Sequence, residues 1–105
     1  MRYILNTPVI TAYGEYQFRP VSVDGAREWA RRGDFVSAVG HASTAELMSA
    51  VLGVDIKFNR VAITMAPGDQ ALVFRLLIRP EEGRLLSSEE LSALPHEFGV
   101  LTRTS

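Results

Sequence analysis

A histidine in the segment Gly40-His41-Ala42-Ser43-Thr44 stands at the predicted junction between a strand and a helix. Such a junction gathers unpaired backbone amides and the positive end of the helix dipole, which together favour an anion. Gly40 permits a ligand to approach the backbone closely, Ser43 and Thr44 supply hydroxyl donors, and a histidine such as His41 exchanges a proton near neutral pH. The segment is therefore interpreted as a phosphate-binding turn that carries one acid or base. The alternative is a histidine that only packs beside the start of a helix.

Other polar residues stand at the ends of predicted strands, where functional residues are common. Arg79 and Glu82 lie in the loop sequence Arg-Pro-Glu-Glu-Gly, which follows the most apolar strand. There, Arg79 could bind a phosphate and Glu82 could orient a histidine. Asn6 and Arg60 stand at the ends of two further strands. An ordinary solvated turn is the alternative for all four residues, and residue type alone leaves that alternative open.

The sequence carries no pattern typical of a metal site or of a large phosphate-binding loop. Isolated carboxylates could hold magnesium, but no acidic cluster stands out. The absence of cysteine excludes disulfides, thiolate catalysis and cysteine-ligated zinc. The two histidines, His41 and His96, are far apart and form no His-x-x-x-His pair, and His96 beside Pro95 is interpreted as a surface or turn residue. The glycines are spaced singly, so they form neither a P-loop nor a dinucleotide fingerprint. We expect no metal and no cofactor.

The elements that must position these residues follow from hydrophobic periodicity and from helix start and stop signals. Strands are predicted at residues 3–5, 16–21, 35–39, 58–65, 71–78 and 98–101, with 9–13 as a bent extension of the first. Helices are predicted to begin at Asp24, at the capping box Ser43 to Glu46 and at a second capping box from Ser87, and to end at Gly33, at Gly53 and before Pro95. This interleaved order predicts an α/β (α+β) fold with a single mixed sheet of about five strands and helices packed on one face.

Two of these strands, at residues 35–39 and 71–78, are apolar on both faces, which predicts central positions in the sheet. Apolar side chains also exceed what one small layer of helices can cover. The excess comes from Val61, Ile63, Val73, Leu77 and Ile78. The second face of the sheet is therefore either open or covered by another subunit.

Length and composition limit the classes of protein that remain. The chain has 105 residues, 47% of them hydrophobic, and a net charge of −1, which fits one domain over residues 1–105. This balanced charge excludes a protein that coats nucleic acid with a broad basic face. No apolar run approaches the roughly 20 residues that span a bilayer, and the opening is too short for a signal peptide, so we expect a cytoplasmic location.

The cations are ten arginines and a single lysine, Lys57. Arginine suits planar, bidentate contacts with phosphate or carboxylate. A GC-rich genome or a thermophilic source is the alternative explanation for this bias.

Several short motifs occur in one order along nearly the whole chain, from Tyr3 to Thr102. They are Tyr-x-Leu-Asn-Thr-Pro, Ser-Ala-Val-Gly-His-Ala-Ser-Thr-Ala-Glu-Leu, Asn-Arg-Val, Pro-Gly-Asp and Arg-x-x-Glu-Gly. In this order and spacing the sequence resembles the viral ring nuclease family, a type III anti-CRISPR family of small archaeal-virus, bacterial and phage proteins. Each motif alone is weak, whereas Gly-His-x-x-Thr combined with Arg-x-x-Glu-Gly is much more specific.

The resemblance implies a symmetric homodimer and a metal-independent nuclease. The implied substrate is cyclic tetra-adenylate, the second messenger of type III CRISPR systems, and the product is linear di-adenylate with a 2′,3′-cyclic phosphate. Destroying this messenger would switch off type III CRISPR signalling. The implied partners are thus the cyclic nucleotide and a second copy of the chain, with no DNA and no membrane.

The resemblance also assigns roles to residues. His41 matches the catalytic acid, and Glu82 matches the glutamate that works with it. Arg60 and Arg79 match arginines that bind ligand or stabilise the dimer pocket. The remaining ligand-binding predictions are Asn6, Gly40, Ser43, Thr44 and Arg75.

Three residues depart from the archaeal viral pattern. Val9 replaces a serine, Thr11 an asparagine and Arg75 a glutamine. We therefore expect the contacts to adenine and ribose to differ in detail, whereas His41 is unaffected.

Three other functions compete with the nuclease. A binding module could sequester a cyclic oligonucleotide in the same pocket without cutting it. A regulatory protein could bind duplex nucleic acid, although the balanced charge argues against this. A small structural domain is the third, and it would make the order of the motifs a coincidence.

Overall fold

Five strands and two helices make up the part of the chain that the computed structural model describes, which is residues 1–7, 12–76 and 96–105. In chain order they are β1 (Arg2–Leu5), β2 (Tyr16–Val21), α1 (Val23–Arg31), β3 (Val36–Ala38), α2 (Ala42–Leu52), β4 (Gln70–Leu76) and β5 (His96–Arg103). Residues 9–11 of the predicted extension at 9–13, the predicted end of a strand at 77–78 and the helix predicted to begin at Ser87 lie outside the described residues. Residues 12 and 13 are described and belong to no strand, so the extension is wrong there.

The strands form one mixed sheet in the order β2-β5-β4-β1-β3. Strand β1 pairs in parallel with β3 on one side and with β4 on the other, so Leu5 lies opposite both Ala38 and Val73. Strand β5 runs antiparallel to β4 and β2. The predicted single mixed sheet, and the central position of β4, are therefore confirmed.

Strand β3 lies at an edge of the sheet, so the predicted central position of residues 35–39 is wrong. Two observations explain why an edge strand is apolar on both faces. Val39 is fully buried in the core beneath the helices, and Ala38 is buried on the opposite face. Beyond the edge, Phe58 forms an isolated parallel bridge with Val39, so a further piece of chain shields the strand.

The helices cover one face of the sheet, as predicted. Sheet side chains Ile4, Leu72 and Phe98 pack there with Trp29 of α1 and Met48 of α2. Since successive side chains of a strand point to opposite faces, the residues between them face the other way. That second face carries the buried residues Tyr3, Leu5, Ala38, Ala71, Val73 and Leu101.

The chain itself covers part of the second face, using the segment in which a strand was expected at residues 58–65. Met65 is buried against this face and Ile63 packs beside it, whereas Val61 stays exposed. Apart from the bridge at Phe58, this segment joins no strand, so the predicted strand is wrong. Its alternating apolar residues reflect packing across the sheet rather than pairing at the sheet edge.

Helix α1 begins two residues before the expected start. Ser22 has an extended backbone, and its Oγ accepts a hydrogen bond from the amide of Gly25 at 3.0 Å. Asp24 lies inside the first turn, where a carboxylate favours the positive end of the dipole. The predicted Asp24 cap is therefore wrong, because an earlier serine takes the capping geometry.

Helix α2 begins at Ala42, with His41 as its N-cap residue and with no side-chain bond to the first amides. Ser43 lies within the helix, so the predicted capping box from Ser43 to Glu46 is wrong. The reason is that the extended backbone before the helix belongs to His41, at φ −133° and ψ 125°. The helix ends as expected at Gly53, whose φ of 72° is in the left-handed region.

Among the described residues, no helix is long and apolar enough to cross a membrane.

Candidate functional site

Strands β1, β3 and β4 run parallel, so their carboxyl ends all lie at the same end of the sheet. In open sheets with parallel strands, ligands commonly bind just beyond these carboxyl ends. A cleft of about 410 Å³ opens there, within the size range of small-molecule sites. It is lined by Leu5, Asn6, Thr7, Ala38, Gly40, His41, Arg60, Val61, Ala62 and Ile63.

Asn6 and Gly40 connect the two strand ends that form the floor of the cleft. The amide of Gly40 points to Oδ1 of Asn6 at 3.5 Å, a long hydrogen bond that joins the residue after β1 to the loop after β3. Leu5, directly before Asn6, and Ala38, two residues before Gly40, are buried and line the cleft. The cleft thus has an apolar floor and a polar rim.

His41 stands between β3 and α2 and is exposed. Its carbonyl accepts the first bond of the helix, from the amide of Ala45 at 3.0 Å, so its backbone is fixed. Its imidazole makes no capping bond and lines the cleft. The side chain is therefore accessible to a ligand, while the amides of the first helical turn lie just beyond it.

Arg60 reaches the same cleft from the segment that follows α2. The amide of Asn59 donates to the carbonyl of Val39 at 2.9 Å, which brings this segment to the edge of β3. A methyl group built on Gly40 would lie 3.5 Å from Cγ of Arg60, so the arginine stem lies beside the glycine. Arg60 is exposed, and among the described residues it forms no ion pair.

The electrostatic character of the cleft follows from its side chains. His41 and Arg60 can both carry positive charge, and no carboxylate occurs among the described lining residues. Asn6 adds an amide and Thr7 a hydroxyl, so the rim can also make neutral hydrogen bonds. This arrangement suits an anion with an attached polar group. In the described ranges, no three His, Cys, Asp or Glu side chains cluster as metal ligands would.

Comparison with known proteins shows the family to which this chain belongs. The model of the STIV B116-like family matches residues 2–98. This chain belongs to the STIV B116-like family. It is 32% identical over 101 residues to YddF, an uncharacterized protein of Bacillus subtilis (strain 168), covering 94% of each chain. It is 31% identical over 110 residues to uncharacterized protein 26 of a Sulfolobus islandicus filamentous virus, covering 97% of this chain and 93% of the relative.

A solved structure agrees at the level of the fold. B116 of Sulfolobus turreted icosahedral virus superimposes with a TM-score of 0.74 at 23% identity, over 97% of this chain and 98% of that one. The sheet order and the helices on one face are therefore features of the B116-like fold. The resemblance seen in the sequence is confirmed at the level of a family of archaeal-virus and bacterial proteins.

In this B116-like chain the cleft brings together four of the residues predicted as site residues: Asn6, Gly40, His41 and Arg60. They come from three separate segments, after β1, after β3 and after α2. Arg79 and Glu82 follow β4, whose carboxyl end lies at the same end of the sheet as the cleft, but both residues lie outside the described part of the chain.

Three other predicted site residues lie away from the lining of the cleft. Ser43 and Thr44 belong to the first turn of α2, and Thr44 is only 9% exposed. Arg75 lies on β4 and forms an ion pair with Glu97 of β5 at 3.3 Å. The guanidinium of Arg75 therefore already has a partner.

His96 is the first residue of β5, so the turn, one of its two predicted locations, is wrong. Its ring lies 5.4 Å from that of Phe74 and 6.4 Å from that of Phe98. Phe74 of the neighbouring strand β4 and Phe98 of β5 itself contact the ring, which is half-buried at the start of β5.

Sequence reasoning did not assign Thr7, Val61 or Ala62 to the site, although all three line the cleft. Val61 and Ala62 are apolar, and Thr7 carries an ordinary hydroxyl, so residue type gave no signal. Thr7 lies just after β1, whereas Val61 and Ala62 belong to the segment whose Ile63 and Met65 pack on the second face of the sheet.

Proposed function

We propose that this protein is a metal-independent ring nuclease that binds cyclic tetra-adenylate and cleaves it to linear di-adenylate ending in a 2′,3′-cyclic phosphate. By removing this messenger it would act as an anti-CRISPR protein against type III systems. The observation that carries the proposal is the cleft itself. It joins the histidine of the Gly-His segment to a free arginine and a strand-end asparagine, with no carboxylate among the described lining residues.

The reaction requires an acid and a stabiliser of negative charge. The ribose 2′-oxygen attacks the adjacent phosphorus and loses its proton to solvent, a new O2′–P bond forms, and the P–O5′ bond breaks. His41 donates a proton to the departing 5′-oxygen, a contribution of about 10²–10⁴-fold for a positioned acid. Arg60 and backbone amides near the start of α2 stabilise the charge that develops on the phosphoryl oxygens.

Positioning supplies much of the remaining rate. The attacking and leaving oxygens must lie in line, which requires the ring to be bent against a fixed surface. The apolar floor of Leu5 and Ala38 and the joined ends of β1 and β3 provide such a surface. In the proposal, Arg79 and Glu82 complete the site from the segment after β4, with Glu82 acting on His41 and Arg79 on a phosphate.

A homodimer fits the symmetry of this substrate. A ring of four nucleotides is larger than one cleft of about 410 Å³. Placed on a two-fold axis, the ring presents two equivalent phosphates to two copies of His41. Each copy then cuts once, which gives two identical di-adenylates.

The decisive experiment incubates the protein with a panel of labelled cyclic oligonucleotides in the presence of EDTA and identifies the products. We expect cyclic tetra-adenylate to yield linear di-adenylate with a cyclic phosphate. His41→Ala should bind the ring with little loss and leave it uncut over a long incubation. Cutting by His41→Ala at the wild-type rate would remove the histidine from the mechanism.

Arg60→Ala and Arg19→Ala make a matched pair for the same assay. Both remove one exposed arginine, but Arg19 lies on β2, at the edge of the sheet opposite to β3. We expect only Arg60→Ala to weaken binding. Tight binding by the wild-type protein without any linear product would instead identify a protein that sequesters the ring, and a monomer at micromolar concentration by light scattering would contradict the shared site.

A further inference from the structure

Three hydrogen bonds fasten the segment at residues 57–59 to the edge of β3. Oγ of Ser37 donates to the carbonyl of Lys57 at 2.6 Å. The amide nitrogen of Asn59 donates to the carbonyl of Val39 at 2.9 Å, and its side-chain Nδ2 donates to the carbonyl of Ser37 at 2.7 Å. We refer to Ser37, Val39, Lys57 and Asn59 as the edge clamp.

The edge clamp also fixes the backbone on which Arg60 stands. The amide of Val61 donates to the carbonyl of Asn59 at 3.1 Å, so Arg60 is the central residue of a three-residue turn. One end of that turn is Asn59, which the clamp holds by both its backbone and its side chain. The side chain of Arg60 therefore leaves the backbone at a defined place, beside Gly40.

An exposed arginine on a flexible segment would bind a ligand more weakly, because binding would have to order both the side chain and its backbone. Ordering a flexible side chain and its backbone opposes binding, whereas a group that is already fixed avoids this loss. Charge-assisted contacts between a guanidinium and a phosphate are also directional. The edge clamp thus fixes the backbone position from which the Arg60 side chain extends into the cleft.

We propose that Asn59 is a positioning residue, whose side-chain amide holds Arg60 at the cleft so that the guanidinium meets a phosphate of the ligand. This inference rests on the proposed function of the cleft. Asn59 itself is not among the residues that line the cleft, so it acts through Arg60. Ser37 on β3 helps to hold Asn59 in place, because its hydroxyl donates to the carbonyl of Lys57, two residues before Asn59.

The test compares the affinity for cyclic tetra-adenylate of four proteins in a His41→Ala background, where the ring is not cut. They are the parent, Asn59→Ala, Arg60→Ala and the double variant. Loss of one charge-assisted contact corresponds to roughly 10- to 100-fold in affinity, and we expect this for Arg60→Ala. Asn59→Ala should weaken binding about tenfold, and the double variant should bind no worse than Arg60→Ala alone.

Two controls separate positioning from general stability. Ser22→Ala also removes one side-chain hydrogen bond, the cap of α1, and should lower the melting temperature without changing affinity. Ser37→Ala loosens the clamp from the β3 side and should weaken binding about threefold, even if Asn59→Ala fails to fold. Amide hydrogen exchange at residues 60 and 61 should accelerate in both clamp variants.

The outcomes distinguish the inference from the function on which it rests. Asn59 is not a positioning residue if Asn59→Ala binds as tightly as the parent. The same holds if the affinity lost in Asn59→Ala adds in full to the affinity lost in Arg60→Ala. Neither outcome affects the proposed function. If the wild-type and parent proteins are folded and fail to bind cyclic tetra-adenylate, the proposed function is wrong and the inference is overturned with it.

Discussion

Oδ1 of Asn6 lies 3.5 Å from the amide nitrogen of Gly40, and this contact joins the carboxyl ends of two neighbouring parallel strands. The two residues are 34 positions apart in the chain. Because Gly40 immediately precedes His41, the contact ties the end of β1 to the residue that would act as the acid. Two residues that carry no reactive group therefore connect the strand ends beneath the cleft.

Two substitutions of Asn6 should distinguish the effect of its hydrogen bond to Gly40 from the effect of a negative charge at this position on a bound anion. Asn6→Asp keeps an oxygen that can accept from Gly40 but adds a negative charge to the cleft, whereas Asn6→Ala removes the bond. We expect Asn6→Asp to bind cyclic tetra-adenylate at least tenfold more weakly than Asn6→Ala, because like charges repel in a partly enclosed site. Titrations at low and high salt measure this, since salt should narrow the difference. Equal affinities at low salt would argue against an anion beside Asn6.

Gly40→Ala should impair binding while preserving the fold. The φ of Gly40 is outside the left-handed region, so alanine is not strained there, and the added methyl makes an ordinary contact with Arg60 at 3.5 Å. That methyl occupies the space between the arginine stem and the strand end, where a ligand would approach. We expect a melting temperature within about 3 °C of the wild type and about tenfold weaker binding. Unchanged binding would show that the ligand does not approach Gly40.

Ser49→Ala should destabilise the protein more than Ser43→Ala, although both residues lie in α2. Oγ of Ser49 accepts from the amide of Ile56 at 2.8 Å and donates to the helix carbonyl of Ala45. Without this hydroxyl the amide of the buried Ile56 loses its partner, at a cost of about 1–3 kcal/mol. Ser43 makes no cap, so its replacement should cost less than about 0.5 kcal/mol. Urea denaturation of both variants measures the difference, and similar losses would instead support the capping box.

Asp69 should make stability depend on acid pH. The hydrogen bond from the amide of Ala66 at 2.8 Å lowers its pKa below the ordinary value of 3.8, and the Met1 amino group and Arg103 act in the same direction, against burial. The folded chain therefore binds the proton more weakly than the unfolded chain. The resulting stabilisation is complete above the ordinary value and is lost as the pH falls through the lower pKa of the folded state.

Asp69→Asn provides the comparison for this pH dependence. We expect the variant to be less stable than the wild type near neutral pH, and the two stabilities to converge below pH 3.8 as the wild-type carboxyl takes up its proton. Chemical denaturation at a series of pH values measures both curves. A difference that stays constant across the acid range would show that the carboxylate charge contributes nothing.

The sequence by itself determined the types of the described strands and helices, although it also predicted a strand at residues 58–65 that does not form. The pattern of apolar residues was enough for β1, β2, β4, β5 and both described helices, because periodicity and glycine stop signals act within a few residues. It also identified His41, Gly40, Asn6 and Arg60 as candidates, since each is a polar residue or glycine at an element boundary.

Only the tertiary structure decided which of these candidates meet. Residues 58–65 alternate as a strand does, yet Ile63 and Met65 pack on the second face of the sheet. Only residues 57–59 contact the edge of β3, so the rest of the segment forms no strand there. Asn59 reaches Ser37 across 22 positions, and Asn6 reaches Gly40 across 34. Such contacts depend on strand order and register, which local patterns do not encode. They are the reason why a histidine, an arginine and an asparagine from three segments share one cleft.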